Sequence, residues 1–334
     1  MSIAPSIQGR FQGFYKQIDE HEDHVYLKSK KHCNSILNKF DFVIHNFRIL
    51  NYLFKNVKGN DTVLVYHSLY NRFWLKFYRK ISKKKIILEI EDVFSALTES
   101  NKRFAKKEWS IFRSMENCLC INDILYEDLK DVPNKMISYG NYALPDKQPA
   151  TKKNKIRLVY AGVIEQERNA AFLAVKSMQY LPEDYELVVL GFGREKDIDD
   201  LNNLISNINY EKCRECVKYL GRMQGEEYYA FLQNCDIALS THMYDESNMA
   251  SADYTFPSKI IVYLSNGLRV VAQKLRVLEK SAVSDCVSFY DEPTPEKVAD
   301  AIMSVDIESQ YDSRKIISEL DKAFVEDIKK IFGV

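Results

Sequence analysis

Residues 252–272 read ADYTFPSKIIVYLSNGLRVVA. The stretch divides into a loop carrying Asp253 and Tyr254, a helix opening at Pro257-Ser258-Lys259, a stop at Gly267, and a buried strand over 268–272. Pro suits the first turn of a helix, where its missing N–H would be unpaired anyway, and Gly suits the left-handed turn just past the end. Thr255 and Ser258 are the candidate caps. A helix that passes through a short turn into an apolar strand is the repeating half of a parallel α/β sheet. Two uses of the helix start stay open. It is a capped connector, or it is an anion seat, because free backbone N–H groups and the positive dipole end gather there.

The same alternation extends on both sides of this stretch. Strands are expected at 156–161, 185–190, 216–220, 235–240, 268–272 and 286–290, with helices near 169–180, 195–207, 225–233, 257–265 and 295–304. Six strands alternating with five helices predict a doubly wound sheet. In the first half 41–46, 62–67, 85–90 and 117–122 read as strands, with helices near 70–81 and 102–115. The stretch 141–155 has two Pro, many polar residues and no hydrophobic period, and reads as a linker. Ile317, Leu320, Phe324, Ile328 and Ile331 recur at helical spacing and predict a long terminal helix. The expected domains are 1–145 and 155–313, with helix 314–334 returning to the first. The opening MSIAPSIQGRF does not read as a strand, so whether the first domain has its usual first strand stays open.

At 334 residues the chain is long for one core and comfortable for two. Lys plus Arg equals Asp plus Glu, so the net charge is zero and no global bias toward nucleic acid exists. Seven Cys at irregular spacing, with Cys120, Cys235 and Cys286 in or beside apolar runs, read as packed free thiols of a reducing compartment. No signal peptide opens the chain and no apolar run is long enough to span a bilayer, so a cytoplasmic protein is expected.

Ligands of open α/β sheets bind past the carboxyl ends of the strands. Three such ends carry Gly: Gly162, then Gly191 with Gly193, then Gly221 followed by Arg222 and Met223. Gly lets a backbone approach a ligand closely, and it also makes tight turns. A fourth end is the long polar loop 241–258, and long loops in compact domains tend to be functional. Lys259 and Arg168 are the cations of this edge, and a diphosphate would suit them, with backbone donors from 257–259. Lys259 as a solvated helix residue is the plainer alternative. In the first half, His67 closes one strand, and Glu91 and Asp92 follow another. Each is a cleft-edge candidate, or a packed His and solvated turn acids.

The pair Cys213 and Cys216 lacks the second ligand pair of a zinc site and reads as coincidence. No spacing of the six His suggests a metal site. The stretch 71–85, NRFWLKFYRKISKKK, interleaves seven cations with aromatic and aliphatic residues. Such a basic amphipathic helix suits a membrane surface, or is a crossover helix with a solvated basic face.

The pieces LVYAGVIEQER, YELVVLGFG, VKYLGRMQGEEYYAFLQNCDIALST, YTFPSKIIVYLSNGLRVVA and AVSDCVSFYDE, in this order, resemble the donor-binding domain of glycosyltransferase family 4. The likeness spans about 155–305 and is closest to bacterial members that build capsular or other envelope polysaccharides. The first half is similar more loosely, through VLVYHSLY and IILEIEDVFSAL. The resemblance implies a GT-B architecture: two Rossmann-like α/β domains facing a cleft, with a terminal helix crossing back to the first.

It also implies retaining, metal-independent transfer of a sugar from a nucleotide-sugar donor to a growing, lipid-linked polysaccharide. No cofactor would be needed, and the basic stretch 71–85 suggests that the work is done on the cytoplasmic face of the membrane. Lys259 and Arg168 would hold the diphosphate at Pro257 and Ser258, with the base near Arg222 and Met223 and the acceptor near Glu91, Asp92 and His67. The family's paired Glu would fall on Tyr254 and Val262, so neither is in register. Asp253 is the stand-in for the first. Val262 cannot accept from a ribose hydroxyl, so the second contact is lost. Val163 likewise occupies the first position of the usual phosphate-binding pair. These departures motivate an alternative, a catalytically inactive scaffold of polysaccharide assembly. A nucleotide-sugar epimerase would want more carboxylates and His in the second domain.

Overall fold

A computed structural model describes residues 2–4, 24–26, 35–68, 72–97, 102–148, 154–167, 169–244 and 249–333. By packing the chain divides into two units, Met1–Cys120 with Leu129–Met136, and Ile121–Asp128 with Ile137–Val334.

In the first unit the strands β1 (Ser2–Ala4) and β2 (His24–Tyr26) pair in parallel as a separate two-stranded sheet. A strand therefore does stand at the start of the chain. The helix α1 (Ser35–Asn56) follows, then β3 (Thr62–Tyr66), α2 (Arg72–Ile81), β4 (Lys85–Ile90), α3 (Phe94–Leu97), α4 (Lys102–Arg113) and β5 (Asn117–Cys120); α5 (Asp123–Asp128) belongs to the second unit, and β6 (Asn134–Ile137) returns to the first. The larger sheet has the order β3-β4-β5-β6, with β3–β4 and β4–β5 parallel. Ile86, Ile87, Leu88 and Ile90 of β4 and all four residues of β5 are buried, as the apolar runs predict.

The strand expected over 41–46 is not formed. Those residues lie inside α1. A short run built on Phe42, Val43 and Ile44 fits either state, and the longer window decides. Asn46, Ile49 and Leu53 are buried on one helical face, and no Gly or Pro interrupts 35–56. Asn46 Nδ2 donates to the carbonyl of Phe42 one turn back at 2.7 Å.

The second unit holds β7 (Ile156–Ile164), α6 (Ala170–Ser177), β8 (Tyr185–Gly193), α7 (Glu195–Glu211), β9 (Val217–Tyr219), α8 (Gly225–Gln233), β10 (Ile237–Ser240), α9 (Met249–Ala252), α10 (Lys259–Ser265), β11 (Arg269–Gln273), α11 (Arg276–Glu279), β12 (Val287–Tyr290), α12 (Pro295–Met303) and α13 (Ser313–Phe332). The sheet order is β12-β11-β10-β7-β8-β9, with every pair parallel. This is the doubly wound order, and its switch point lies between β7 and β10.

Strand side chains alternate between two cores. Leu158, Leu187, Val189, Ile237 and Leu239 join one, with α6 and α12, while Val159, Val188, Leu190 and Ala238 join the other, with α10. The terminal helix α13 rests Ile317 in that second core, with Leu320 and Phe324 packed against it.

Candidate active site

β7 and β8 pair over nine residues, but β7 and β10 register only through Ile237↔Leu158 and Ala238↔Val159. The carboxyl-terminal part of β7 thus has no strand partner on the β10 side, and α10 packs against it there, at the switch point. Lys259 lies at the start of α10. Its ammonium lies 4.9 Å from the centre of the Tyr160 ring. A Cβ on Gly162 would stand 2.9 Å from that ammonium and 3.0 Å from the Tyr160 hydroxyl. Gly162 is therefore the residue that leaves room for the cation.

α10 cannot slide away. Ile260, Ile261, Tyr263 and Leu264 are fully buried. The Tyr263 hydroxyl accepts from the N–H of Ala161 at 3.0 Å and donates to its carbonyl at 3.2 Å, fastening the helix to β7. The sequence reading omits Tyr160 and Tyr263, yet spacing marks both. Position 160 shares a strand face with 162, and position 263 lies one helical turn from 259.

The helix start differs from the expected anion seat. Ser258 is the N-cap residue but makes no side-chain cap bond, and Thr255 Oγ1 donates to Ala252 instead. The N–H groups of Ser258, Ile260 and Ile261 go to the carbonyls of Phe256, Pro257 and Ser258 in tight turns. The backbone donors expected over 257–259 are largely taken up, because Pro257 lies before the cap and the first turn closes on itself.

The other Gly-marked ends line the same sheet edge. β8 runs through Gly191 and Gly193, so these residues lie inside the strand rather than after it. A Cβ on Gly191 would fall 1.8 Å from the Gly162 carbonyl oxygen, and one on Gly193 2.2 Å from that of Ile164. Both have a packing reason: the two backbones pass too close for side chains. Gly221 has φ +73°, and its carbonyl accepts from Gly191 N–H at 2.9 Å. The guanidinium of Arg222 lies 5.1 Å from the centre of the exposed Phe192 ring, and Met223 packs against the second core.

In the loop after β10, Gln273 accepts from the N–H of Tyr244 and donates to its carbonyl. Asp253 accepts from Arg276 at 2.8 Å, and the Tyr254 hydroxyl donates to Asp128 at 2.8 Å. Val262 packs against the second core. Its carbonyl accepts from Ser265 and Asn266. Arg168 lies outside the described residues.

The first-unit candidates form two groups. His67 is 4% exposed and donates from Nε2 to the buried Glu108 carboxylate at 2.8 Å. The Glu108 oxygens also accept from the N–H groups of Phe94 and Ser95, which open α3. His67 is thus a packed strut, the plainer of its two sequence readings. Burial pushes the Glu108 carboxyl up, but the hydrogen bonds from His67 and Ser95 outweigh it and hold the net value below the ordinary range. A carboxyl lowered on folding stabilises above its unfolded value, roughly pH 4.3, and that stability is lost as pH falls through the lowered value. Glu108→Gln should therefore lower Tm at neutral pH, with the gap to wild type closing below about pH 4. A gap that stays constant across the acid range would show that the ionised form is not what matters.

The second group is Tyr66, Glu89, Glu91 and Asp92. Tyr66 donates to Asp92 at 3.4 Å. Burial, and then the neighbouring Asp92 charge, push the Glu91 carboxyl above its ordinary value. Burial and Glu91 do the same to Glu89. A carboxylate raised toward neutrality is better matched to proton transfer.

Among the described residues no cluster of His, Cys, Asp or Glu is arranged to hold a metal ion, and no helix is long and apolar enough to cross a membrane. The six described cysteines are free thiols, and all but Cys213 are buried.

No protein-family model matches the chain. No curated protein matches it by sequence either. Solved structures do match by fold. A glycosyltransferase from Rickettsia africae ESF-5 aligns with a TM-score of 0.62 at 10% identity, over 95% of this chain and 87% of its own. Anabaena HepE, solved with UDP and glucose, aligns at 0.58 and 11% identity over 92% and 87%. A UDP-forming trehalose-phosphate synthase from Burkholderia xenovorans aligns at 0.57 and 10% identity over 89% and 80%. At such identities the likeness is one of fold. Two Rossmann-like α/β units with parallel sheets make this the GT-B architecture.

Proposed function

We propose that the protein transfers a sugar from a nucleotide-sugar donor. The observation that carries this reading is the Lys259 ammonium beside Tyr160 and Gly162 at the switch point, on a helix that the Tyr263–Ala161 bonds fasten to β7. When a glycosyl bond to a nucleoside diphosphate breaks, negative charge gathers on the departing diphosphate. A cation already in place stabilises that charge without reorganisation. Arg168 is the second cation of the reading, and the Arg222–Phe192 stack with Met223 is the proposed seat of the base. A protein of the same fold, Anabaena HepE, is solved with UDP, so a UDP-sugar is the first donor to test.

The finer parts of the proposal rest on the motif run. They are family 4 membership, retention of anomeric configuration, metal independence and a lipid-linked polysaccharide acceptor. Glu91 and Asp92 are the acceptor-side candidates, and the raised Glu91 carboxyl suits a proton acceptor. The basic stretch 71–85 is the proposed contact with the cytoplasmic membrane face. One set of observations favours the inactive scaffold instead. Asp253 is paired with Arg276, Tyr254 is bonded to Asp128, and Val262 faces the core, so no carboxylate stands free at the family's paired positions.

A thermal-shift panel of nucleoside diphosphates and nucleotide sugars separates the two. The transferase predicts stabilisation by one nucleotide family, at about 3 kcal/mol when ligand reaches a hundred times its Kd. No shift with any nucleotide would leave the scaffold standing.

A further inference from the structure

The helix α1 carries apolar residues on two faces. One face holds Asn46, Ile49 and Leu53 against the first unit. The other presents Phe40, Val43, Ile44, Phe47 and Phe54 to solvent, with Phe47 67% exposed. Phe40, Val43, Ile44 and Phe47 lie three or four positions from one another along the helix, Phe54 follows two turns after Phe47, and together they form one ridge. Beside it α2 exposes Phe73, Phe77 and Ile81, and an edge-on contact of Phe42 with Phe73 at 5.7 Å joins the two helices. Between them runs an apolar groove of about 280 Å³, lined by Phe42, Phe47, Leu50, Phe73, Trp74 and Phe77. Apolar surface this continuous marks a contact with something else.

Charge selects the partner. Residues 42–56 and 72–85 contain no Asp or Glu. Arg48 and Lys55 flank the α1 ridge, and Lys76, Arg79, Lys80 and Lys83 flank α2, all exposed. A second copy of the chain would bring these cations against one another. An anionic bilayer takes both features at once: aromatic rings at the headgroup boundary, and cations on lipid phosphates.

We infer that α1 and α2 together form a docking platform for an anionic membrane surface, with the α1 ridge as the part that enters the headgroup layer. This deepens the membrane contact proposed for 71–85 and rests on that reading. The sequence alone does not place α1 there, because 41–46 reads as a strand.

The test is co-sedimentation of the full chain with vesicles of phosphatidylcholine alone and of phosphatidylcholine mixed with phosphatidylglycerol. Wild type should bind the mixed vesicles, release at high salt, and leave the neutral ones. The double variant Ile44→Ser with Phe47→Ser should weaken binding about tenfold or more, with unchanged Tm and unchanged nucleotide response. Lys80→Glu with Lys83→Glu should weaken it by a similar factor. If the α2 variant loses binding and the α1 variant keeps it, the α1 inference falls while the contact through 71–85 stands. If wild type binds neither vesicle, both fall. Concentration-dependent dimers that the α1 variant converts to monomers, without vesicle binding, would assign the face to a second copy and overturn the inference.

Discussion

Replacing Lys259 with alanine is expected to lower turnover about tenfold or more while leaving Tm within about 2 °C of wild type. The rate effect follows from where the ammonium sits. It is carried beside Tyr160 and Gly162 by a helix whose buried face and Tyr263–Ala161 bonds remain intact in the variant. Charge gathering on a departing diphosphate would then meet only water or a more distant cation, and a tenfold loss corresponds to about 1.4 kcal/mol of transition-state stabilisation. The small change in stability follows from the same geometry. Lys259 is half-buried at the first position of α10, and its stacking on Tyr160 contributes on the order of 0.5–1 kcal/mol. Lys259→Arg should recover part of the rate, since charge and reach are kept. Lys274→Ala, which removes an exposed cation between Glu279 and Asp291, should change nothing. Turnover is measured with the donor that the thermal-shift panel selects. A Lys259→Ala enzyme with wild-type turnover would remove the diphosphate seat from the start of α10.

The doubly wound sheet of the second unit is legible because its strands are buried on both faces and its helices recur between them. Each expected strand there lies within a few residues of an observed one. The first unit is less legible where a short window was decisive. Within 41–46 nothing distinguishes a strand from one and a half turns of helix, and only the recurrence of Asn46, Ile49 and Leu53 settles it. The short elements α3, α5 and β6 carry no hydrophobic period long enough to announce them. At the site, Lys259 and Gly162 can be picked from the sequence as separate signals. Their approach cannot, because it depends on α10 crossing to the end of β7. Val262 is a further case. Its position suggests a missing ribose contact, but its surroundings show a side chain packed on the second core, which is a sufficient reason for an apolar residue there.

The glycines of β8 are legible as a pattern that fits either a ligand edge or a close strand pairing, and Gly191→Ala separates the two readings. Gly191 pairs with Gly162 in the β7–β8 ladder and has φ +147°. An added methyl would stand 1.8 Å from the Gly162 carbonyl oxygen and 3.0 Å from its carbon, both backbone atoms. Neither strand can step aside cheaply. Gly191 N–H is bonded to Gly221, its carbonyl accepts from Tyr219 at 3.0 Å, and the other strand is tied at Ala161 to Tyr263. The expected cost is roughly 3 kcal/mol or more, a fall in Tm of roughly 6–12 °C for a unit of this size. Gly221→Ala is the graded comparison. Its φ is also positive, but a methyl there meets nothing within 4 Å, so only the backbone preference of about 1 kcal/mol is lost. Calorimetry of both variants should therefore rank them 191 well above 221. Because the strand end displaced in Gly191→Ala borders Gly162, the same variant should also lose most of its nucleotide-induced shift. Equal, small losses of Tm in the two variants would mean that β7 and β8 do not pass as closely as this, and that these glycines are kept for what approaches them from outside the sheet.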